Sequence, residues 1–214
     1  MANVEKVNDG MAQPNWDIGI QSREEQHKIR RMAILRVAAH EFNHHGFDQT
    51  SLAKLAAELQ VTKPAIYYYV KNKDDILEGI LSIAIEQFRA LIRKVQASEA
   101  TGLEKLHDFF VGYSQVVSDE FGTCLILMRI NAPKEKFRKP YHDLSSEVFA
   151  AMQAVIEEGV ADQSIAPCNA KYVTASLIAT MNETVYWALV EQKKPPEIAV
   201  EHFFEVFKLG LEPR

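Results

Sequence analysis

Cysteine is scarce: Cys124 and Cys168 are the only two in 214 residues. They form no CxxC pair and no histidine cluster stands beside either, so neither a disulfide framework nor a thiolate metal site is expected. They read as free, buried thiols of a cytoplasmic protein. Long apolar runs are missing too; none reaches the ~18 residues that a membrane span needs. The N-terminus lacks a basic region followed by an apolar core, so no secretion signal is expected. Strand patterns, internal repeats and low-complexity segments are absent. So are a nucleophile–base set, a phosphate-binding glycine loop and HExxH. The adjacent Glu157 and Glu158 are the only paired carboxylates that stand out, and they are ordinary. An all-α enzyme is therefore a weak reading, and no cofactor is implied. His44 and His45 suggest a metal, but no Cys or carboxylate joins them at ligand spacing, so none is expected.

An overall excess of positive charge is also missing, since the formal net charge is −5. Its distribution is informative. Residues 21–73 hold nine Lys/Arg against five Asp/Glu, whereas residues 74–214 hold fourteen against twenty-one. A basic head on an acidic body suits a head that meets phosphates.

What the chain does have is helical periodicity throughout, so the expected fold is all-α. Three regions follow: a disordered tail over 1–20, a helix-turn-helix head over 21–79, and a helical body over 80–214. The tail has Gly10, Pro14 and Gly19 and no period; Met11 is an alternative start, and Trp16 is unplaced. Ser22 and Glu25 form a capping box for a helix to about residue 44. Its expected inner stripe is Ile29, Ala33, Val37 and His40, widened by Met32, Leu35, Ala39 and Phe42. Arg23, Lys28, Arg30 and Arg31 give its early turns a positive skin. Gly46 closes it, with Phe47 tucked beneath.

Residues 50–77 carry the strongest signal. Leu52, Leu55, Ala56 and Leu59 make one apolar face after the capping pair Thr50–Ser51. Gln60–Val61 turns the chain without the usual glycine, which implies mild strain. Thr62 caps a second short helix, with Pro64 in its first turn, where a missing N–H costs least. At about 100° per residue, Ile66 and Val70 point inward while Pro64, Ala65, Tyr67 and Tyr68 face out. Exposed tyrosines on so short a helix imply a binding partner. Asn72 with Asp75 caps the next helix between Lys71 and Lys73, and helix N-termini also attract phosphates. A plain helical hairpin shares this periodicity; the tyrosine run and basic cap favour a helix laid in the DNA major groove.

The segment VTKPAIYYYVKNK (residues 61–73) resembles the DNA-binding domain of the tetracycline-repressor (TetR) family, which typically reads V-[ST]-x-x-x-[LI]-Y-x-[HY]-[FV]-x-[SN]-K there. The similarity spans about residues 22–81. Gln60 in place of glycine and Tyr69 where histidine is common are departures. The resemblance implies that Thr62, Lys63, Pro64, Ala65 and Tyr68 face bases or nearby backbone, and that Ser51, Tyr67 and Lys73 hold phosphates. It implies a transcriptional regulator, by default a repressor.

A long helix from Asn72 to about Ala97 leads from head to body. Further helices are expected over 103–119, 141–159, 169–192 and from Pro195–Pro196 onward. Phe121–Gly122 is read as a break, 124–130 as an apolar run, and 134–138 as an exposed charged loop. The family resemblance implies a homodimer on a palindromic operator, built from the late helices. Its candidate seam is Val148, Met152, Val155, Leu177, Met181 and Val185. Each body is expected to hold a small effector among Phe88, Phe109, Tyr113, Leu125, Met128, Asn182, Tyr186 and Trp187. Core filling is the plainer account of any one of these. The stretch from Asn182 to Gly210 resembles C-terminal domains of TetR regulators of fatty-acid, acyl-CoA or steroid catabolism, so an acyl-CoA or another apolar effector is implied. Arg129, Lys134, Lys136, Arg138 and Lys139 are then candidates for CoA phosphates. The alternative reading is a helical protein-interaction adaptor without DNA binding.

Overall fold

Ser22 opens the first helix with a complete capping box: its hydroxyl accepts from Glu25 N, and the Glu25 carboxylate accepts from Ser22 N. The computed structural model describes residues 22–191 and 197–211, apart from the side chains of 129–131 and 184–201. The tail with Met11 and Trp16, the Pro195–Pro196 start, and the side chains of Arg129, Val185, Tyr186 and Trp187 lie outside the described residues. The described residues form α1 (Arg23–His45), α2 (Leu52–Glu58), α3 (Lys63–Tyr67), α4 (Lys73–Gln96), α5 (Gly102–Ser118), α6 (Glu120–Asn131), α7 (Arg138–Ala161), α8 (Ala170–Glu191) and α9 (Glu197–Leu211), with no strand among them. One 3-10 turn, Glu135–Phe137, precedes α7.

The inward phase of α1 differs from the expected stripe. Ile34, Leu35, Ala38, Ala39, Glu41 and Phe42 are buried, whereas Ile29 and Met32 are 39% and 42% exposed. Apolar residues occur on both sides of this helix, so spacing alone cannot fix its phase. Buried Glu41 is neutralised by an ion pair with Lys54 of α2. Gly46 ends α1 at φ +82°, where a side chain is disfavoured, and its N–H donates to Phe42 O at 3.0 Å.

The α2–α3 turn passes through Gln60 at φ +53°, so the missing glycine is felt as left-handed backbone. Gln60 is exposed and packs on nothing that a glycine would lose. Gln60→Gly is expected to raise the unfolding free energy by about 1 kcal/mol, read from urea unfolding. A loss of stability on that change would contradict the strained turn.

From Asn72 the chain runs for 24 residues as α4, about 36 Å at 1.5 Å per residue. The position expected to divide head from body, between 79 and 80, lies inside this unbroken helix. Its buried side chains, from Ile76 in the head to Val95 in the body, belong to one continuous core. A second junction joins α1 to the start of α6. Asn43 Nδ2 donates to Glu120 O at 2.9 Å, and Arg36 Nη1 donates to Asp119 Oδ2 at 3.1 Å.

The chain break falls at Asp119, which closes α5 and caps α6 by accepting from Phe121 N. Phe121–Gly122 is thus inside α6 and not a break, because a capping aspartate makes the corner sharper than the glycine does. In the body, α5 starts against the end of α7, where a Cβ on Gly102 would stand 2.2 Å from the Gly159 backbone. Cys124 is buried in this core, and desolvation pushes its thiol up to about 12. Cys168 is only half-buried, so the expectation of two buried thiols holds for one of them.

Candidate DNA-reading face and inner cavity

The face of α3 follows from two anchors. Ile66 and Val70 are 0% and 2% exposed, pinned against α1, α2 and α4. Four residues apart, they leave the other side of the helix to solvent. Thr62, Lys63 and Pro64 are exposed there and Ala65 is half-buried. Tyr67 is 50% exposed and Tyr68 75%. Thr62 occupies the N-cap position but makes no side-chain capping bond, so its hydroxyl is not tied to the helix start. Ser51 caps α2 by accepting from Lys54 N at 3.1 Å, which leaves its O–H to donate elsewhere. The Tyr68 ring is propped by neighbours: its centroid lies 5.6 Å from the His27 ring and 5.0 Å from that of Tyr69.

Lys73 departs from the expected phosphate role. Its ammonium donates to Phe47 O at 2.7 Å, Thr50 O at 3.0 Å and Asp48 O at 3.4 Å. It also sits 4.3 Å from the centre of the Phe47 ring. An ammonium has three donors, and here all three have backbone acceptors within the head. The α1–α2 connection turns three carbonyls toward one point, and no periodicity in the sequence shows that. The cap of α4 also differs in detail. Asn72 Oδ1 accepts from Asp75 N at 2.9 Å, but Asp75 accepts from Lys71 N at 2.8 Å instead of returning a bond to Asn72.

The segment read as an exposed charged loop is docked. Phe137 is 2% exposed and faces Phe47, with ring centroids 6.4 Å apart. Lys134 Nζ reaches Asp74 at 2.6 Å, and Lys136 Nζ reaches Glu78 at 2.7 Å and Asp74 at 3.0 Å. The two lysines hold the Asp74 carboxyl below the usual carboxylate range. Arg138 pairs with Glu135 and Lys139 with Asp143. These cations are thus not an unpaired basic patch waiting for CoA phosphates. Their partners lie about sixty residues away or along the same helix, and the distant ones carry no sequence signature.

In the body, Tyr113 OH donates to Asn182 Oδ1 at 2.7 Å in a buried pair that supplies the partner Asn182 requires. Beside it is a cavity of about 30 Å³, enough for roughly one water. Of the candidate effector residues, Phe88, Tyr113, Leu125 and Asn182 line it. Phe109 and Met128 are buried elsewhere in the core. Sequence reasoning missed Ile126, Tyr141, Leu144, Ser145 and Ile178 in the lining. Three of these stand on α7, whose apolar stripe is legible but whose facing partner is not.

The expected dimer seam requires correction. Val148, Met152, Val155, Leu177 and Met181 are all at most 4% exposed within a single chain. Val148 lines the cavity. Apolar stripes on α7 and α8 were taken for an interface, but each stripe is consumed in packing these helices on α4, α5 and each other. Their outer faces are small and polar: Ser146, Ala150 and Ala154 on α7, Ala175, Ser176 and Ala179 on α8, with Tyr172 70% exposed.

Comparison with known proteins agrees with this architecture. The family model for bacterial regulatory proteins of the tetR family matches residues 34–80, and that for the tetracyclin repressor-like C-terminal domain matches residues 99–203. The fatty acid metabolism regulator protein of Bacillus subtilis (strain 168) is 21% identical over 171 residues, covering 78% of this chain and 88% of that protein. The ketosteroid transcriptional regulator KstR2 of Mycobacterium tuberculosis superposes with a TM-score of 0.75 at 17% identity, over 86% of this chain and 96% of that one. AibR, solved in complex with isovaleryl coenzyme A and operator DNA, gives 0.61 at 18% identity, over 78% of this chain and 99% of that one. No helix among the described residues is long and apolar enough to cross a membrane. With both its head and its body matched, the chain belongs to the tetR family of bacterial regulatory proteins and is a DNA-binding transcriptional regulator.

Proposed function

We propose that this regulator is a dimeric repressor that lays α3 of each copy in a major groove of a palindromic operator and is released by an apolar, acyl-CoA-like effector. The observation that carries it is the outward face of α3, where Thr62, Lys63, Pro64, Tyr67 and Tyr68 stand in solvent above two fully anchored residues. Hydroxyls there suit phosphate oxygens, and Pro64 and Ala65 suit a thymine methyl. Ser51 supplies one more phosphate donor. A two-fold dimer matches a palindrome. The outer faces of α7 and α8, with small side chains that let helices approach closely, support its seam better than the buried stripes do. In this division of labour residues 21–79 read DNA and residues 80–214 sense and dimerise, in the cytoplasm.

The effector reading rests on the inner cavity, whose apolar walls carry the Tyr113–Asn182 pair as a polar mark, and on the named ligand of one relative, AibR with isovaleryl coenzyme A. Ligand cavities run to about 300–1,000 Å³, so an acyl chain must part these walls. Tyr141, Leu144 and Ser145 stand in the first two turns of α7, directly after the docked segment that ties Lys134 and Lys136 to α4. Spreading the cavity therefore pulls on Asp74 and Glu78, at the head end of α4. Effector binding then favours a head placement that the operator does not, which is a population shift.

Fluorescence anisotropy of a labelled duplex, selected by the protein from a random library, tests this directly. Acyl-CoAs of rising chain length are expected to weaken binding by about tenfold or more. No response to any of them would remove the acyl-CoA reading. The double change Lys134→Ala, Lys136→Ala is expected to leave acyl-CoA affinity unchanged and to shrink its effect on DNA affinity by about threefold. An undiminished effect would show that the signal travels by another route.

A further inference from the structure

A five-residue helix cannot hold its own direction in water, so α3 must be aimed from outside, and α1 does this through Arg31. Its Nη1 donates to the backbone carbonyl of Tyr69, two residues beyond α3, at 2.7 Å. The same guanidinium forks onto Asp75 at 2.9 and 3.3 Å. Asp75 in turn accepts from Lys71 N at 2.8 Å. One charged group thus joins α1, the exit from α3 and the first turn of α4. Gly79 makes room for it: a Cβ there would stand 3.0 Å from the Leu35 side chain and 3.4 Å from Arg31 Nη2. Arg30 adds a bond from Nη1 to the Tyr69 hydroxyl at 3.1 Å. The Arg31 side chain is 29% exposed, and its printed partners lie at the junction of α1 with α4, behind the face that carries Thr62, Lys63 and Tyr67. The sequence reading counted Arg30 and Arg31 as surface charge; the structure turns both toward Tyr69.

We propose that Arg31, held by Asp75, is a positioning residue for DNA reading: it contacts no nucleic acid and fixes the direction in which α3 presents its outer face. This rests on the assignment of α3 as the reading helix. Its physical content is a distinction between two kinds of binding. Specific recognition needs α3 in one orientation, whereas non-specific binding needs only charge near phosphates. Loosening α3 without removing a phosphate contact lowers the first and spares the second.

The test compares the wild-type protein with Arg31→Met on two duplexes, one selected by the wild type from a random library and one of the same length and composition with the sequence scrambled. Affinities are taken over a range of salt concentrations. Arg31→Met is expected to lower affinity for the selected duplex about tenfold. It should leave affinity for the scrambled duplex, and the slope of log affinity against log salt, unchanged. Asp75→Asn keeps an acceptor for Lys71 N and loses only the charge; it is expected to act in the same direction by about threefold, and it stands in should Arg31→Met fail to fold. A parallel fall on both duplexes would mean a loss of folded protein and overturn the proposal. A salt slope shallower by about 0.9 would make Arg31 a phosphate contact and overturn it as well. Unchanged affinity on both would do the same. If the wild type itself does not tell the two duplexes apart, the reading-helix assignment fails, and that outcome is distinct from the other three.

Discussion

Replacing Tyr67 and Tyr68 together by alanine is expected to lower affinity for a selected duplex about 100-fold while leaving the protein as stable as before, to within about 0.5 kcal/mol. The two halves of that expectation have separate causes. Tyr67 and Tyr68 are half and three-quarters exposed, so removing their rings opens no cavity in the core. Ile66 and Val70, which fix α3, are untouched. The only packing lost is the cluster of Tyr68 with His27 and Tyr69, which sits at the surface. The binding loss comes from contacts made only in the complex. A well-placed side chain on a base or its backbone contributes about 1–3 kcal/mol, and two such residues account for two decades. A mobility shift for affinity and urea unfolding for stability separate the halves. Undiminished binding would remove α3 as the reading helix. It would bring forward the adaptor reading, in which exposed tyrosines serve a protein partner. Binding lost together with stability would instead mean that the rings support the head.

The helices of this chain were open to reading because each carries its own local marks. Ser22 with Glu25 and Asn72 at the start of α4 announce helix starts, and Ile66 with Val70 announces which side of α3 turns inward. Those marks lie within four residues of one another, so sequence displays them. Phase and partnership do not lie so close. On α1, Ile29 and Ile34 are equally apolar, and only the arrival of α4 and α6 decides that the second is buried. On α7 and α8, a broad apolar stripe is the same signal whether it meets another helix of its own chain or a second copy. Val148 and Met181 resolve to the former. Charges were the least legible. Arg31, Lys73, Lys134 and Lys136 all looked like surface cations, and each has an acceptor at least twenty residues away. Half of the expected cavity lining was found because aromatic and amide side chains on apolar helices are conspicuous; Leu144 and Ile178 were missed because aliphatic lining residues look like any core.

Lys73→Met is the sharpest case, since two accounts of one lysine predict different measurements. The α1–α2 connection aims the carbonyls of Phe47, Asp48 and Thr50 at its ammonium. Thr50 is 1% exposed, so water cannot readily replace the lost donor there. A buried acceptor without a partner costs about 1–3 kcal/mol. Loss of the ammonium above the Phe47 ring adds to this, by about 0.5–1 kcal/mol. The expected destabilisation is about 3 kcal/mol, less where solvent reaches the Asp48 carbonyl. Because Phe47 also meets Phe137 of the docked segment, the damage should spread to the head–body junction and be felt as weaker operator binding. A phosphate-holding lysine behaves otherwise: its removal leaves stability alone and makes the salt slope shallower by about 0.9. Urea unfolding and DNA affinity at several salt concentrations distinguish the two. A Lys73→Met protein of wild-type stability with a shallower slope would return Lys73 to the DNA surface. A destabilised one whose remaining folded fraction keeps the full slope would establish that this cation's work is to hold the α1–α2 connection against the start of α4.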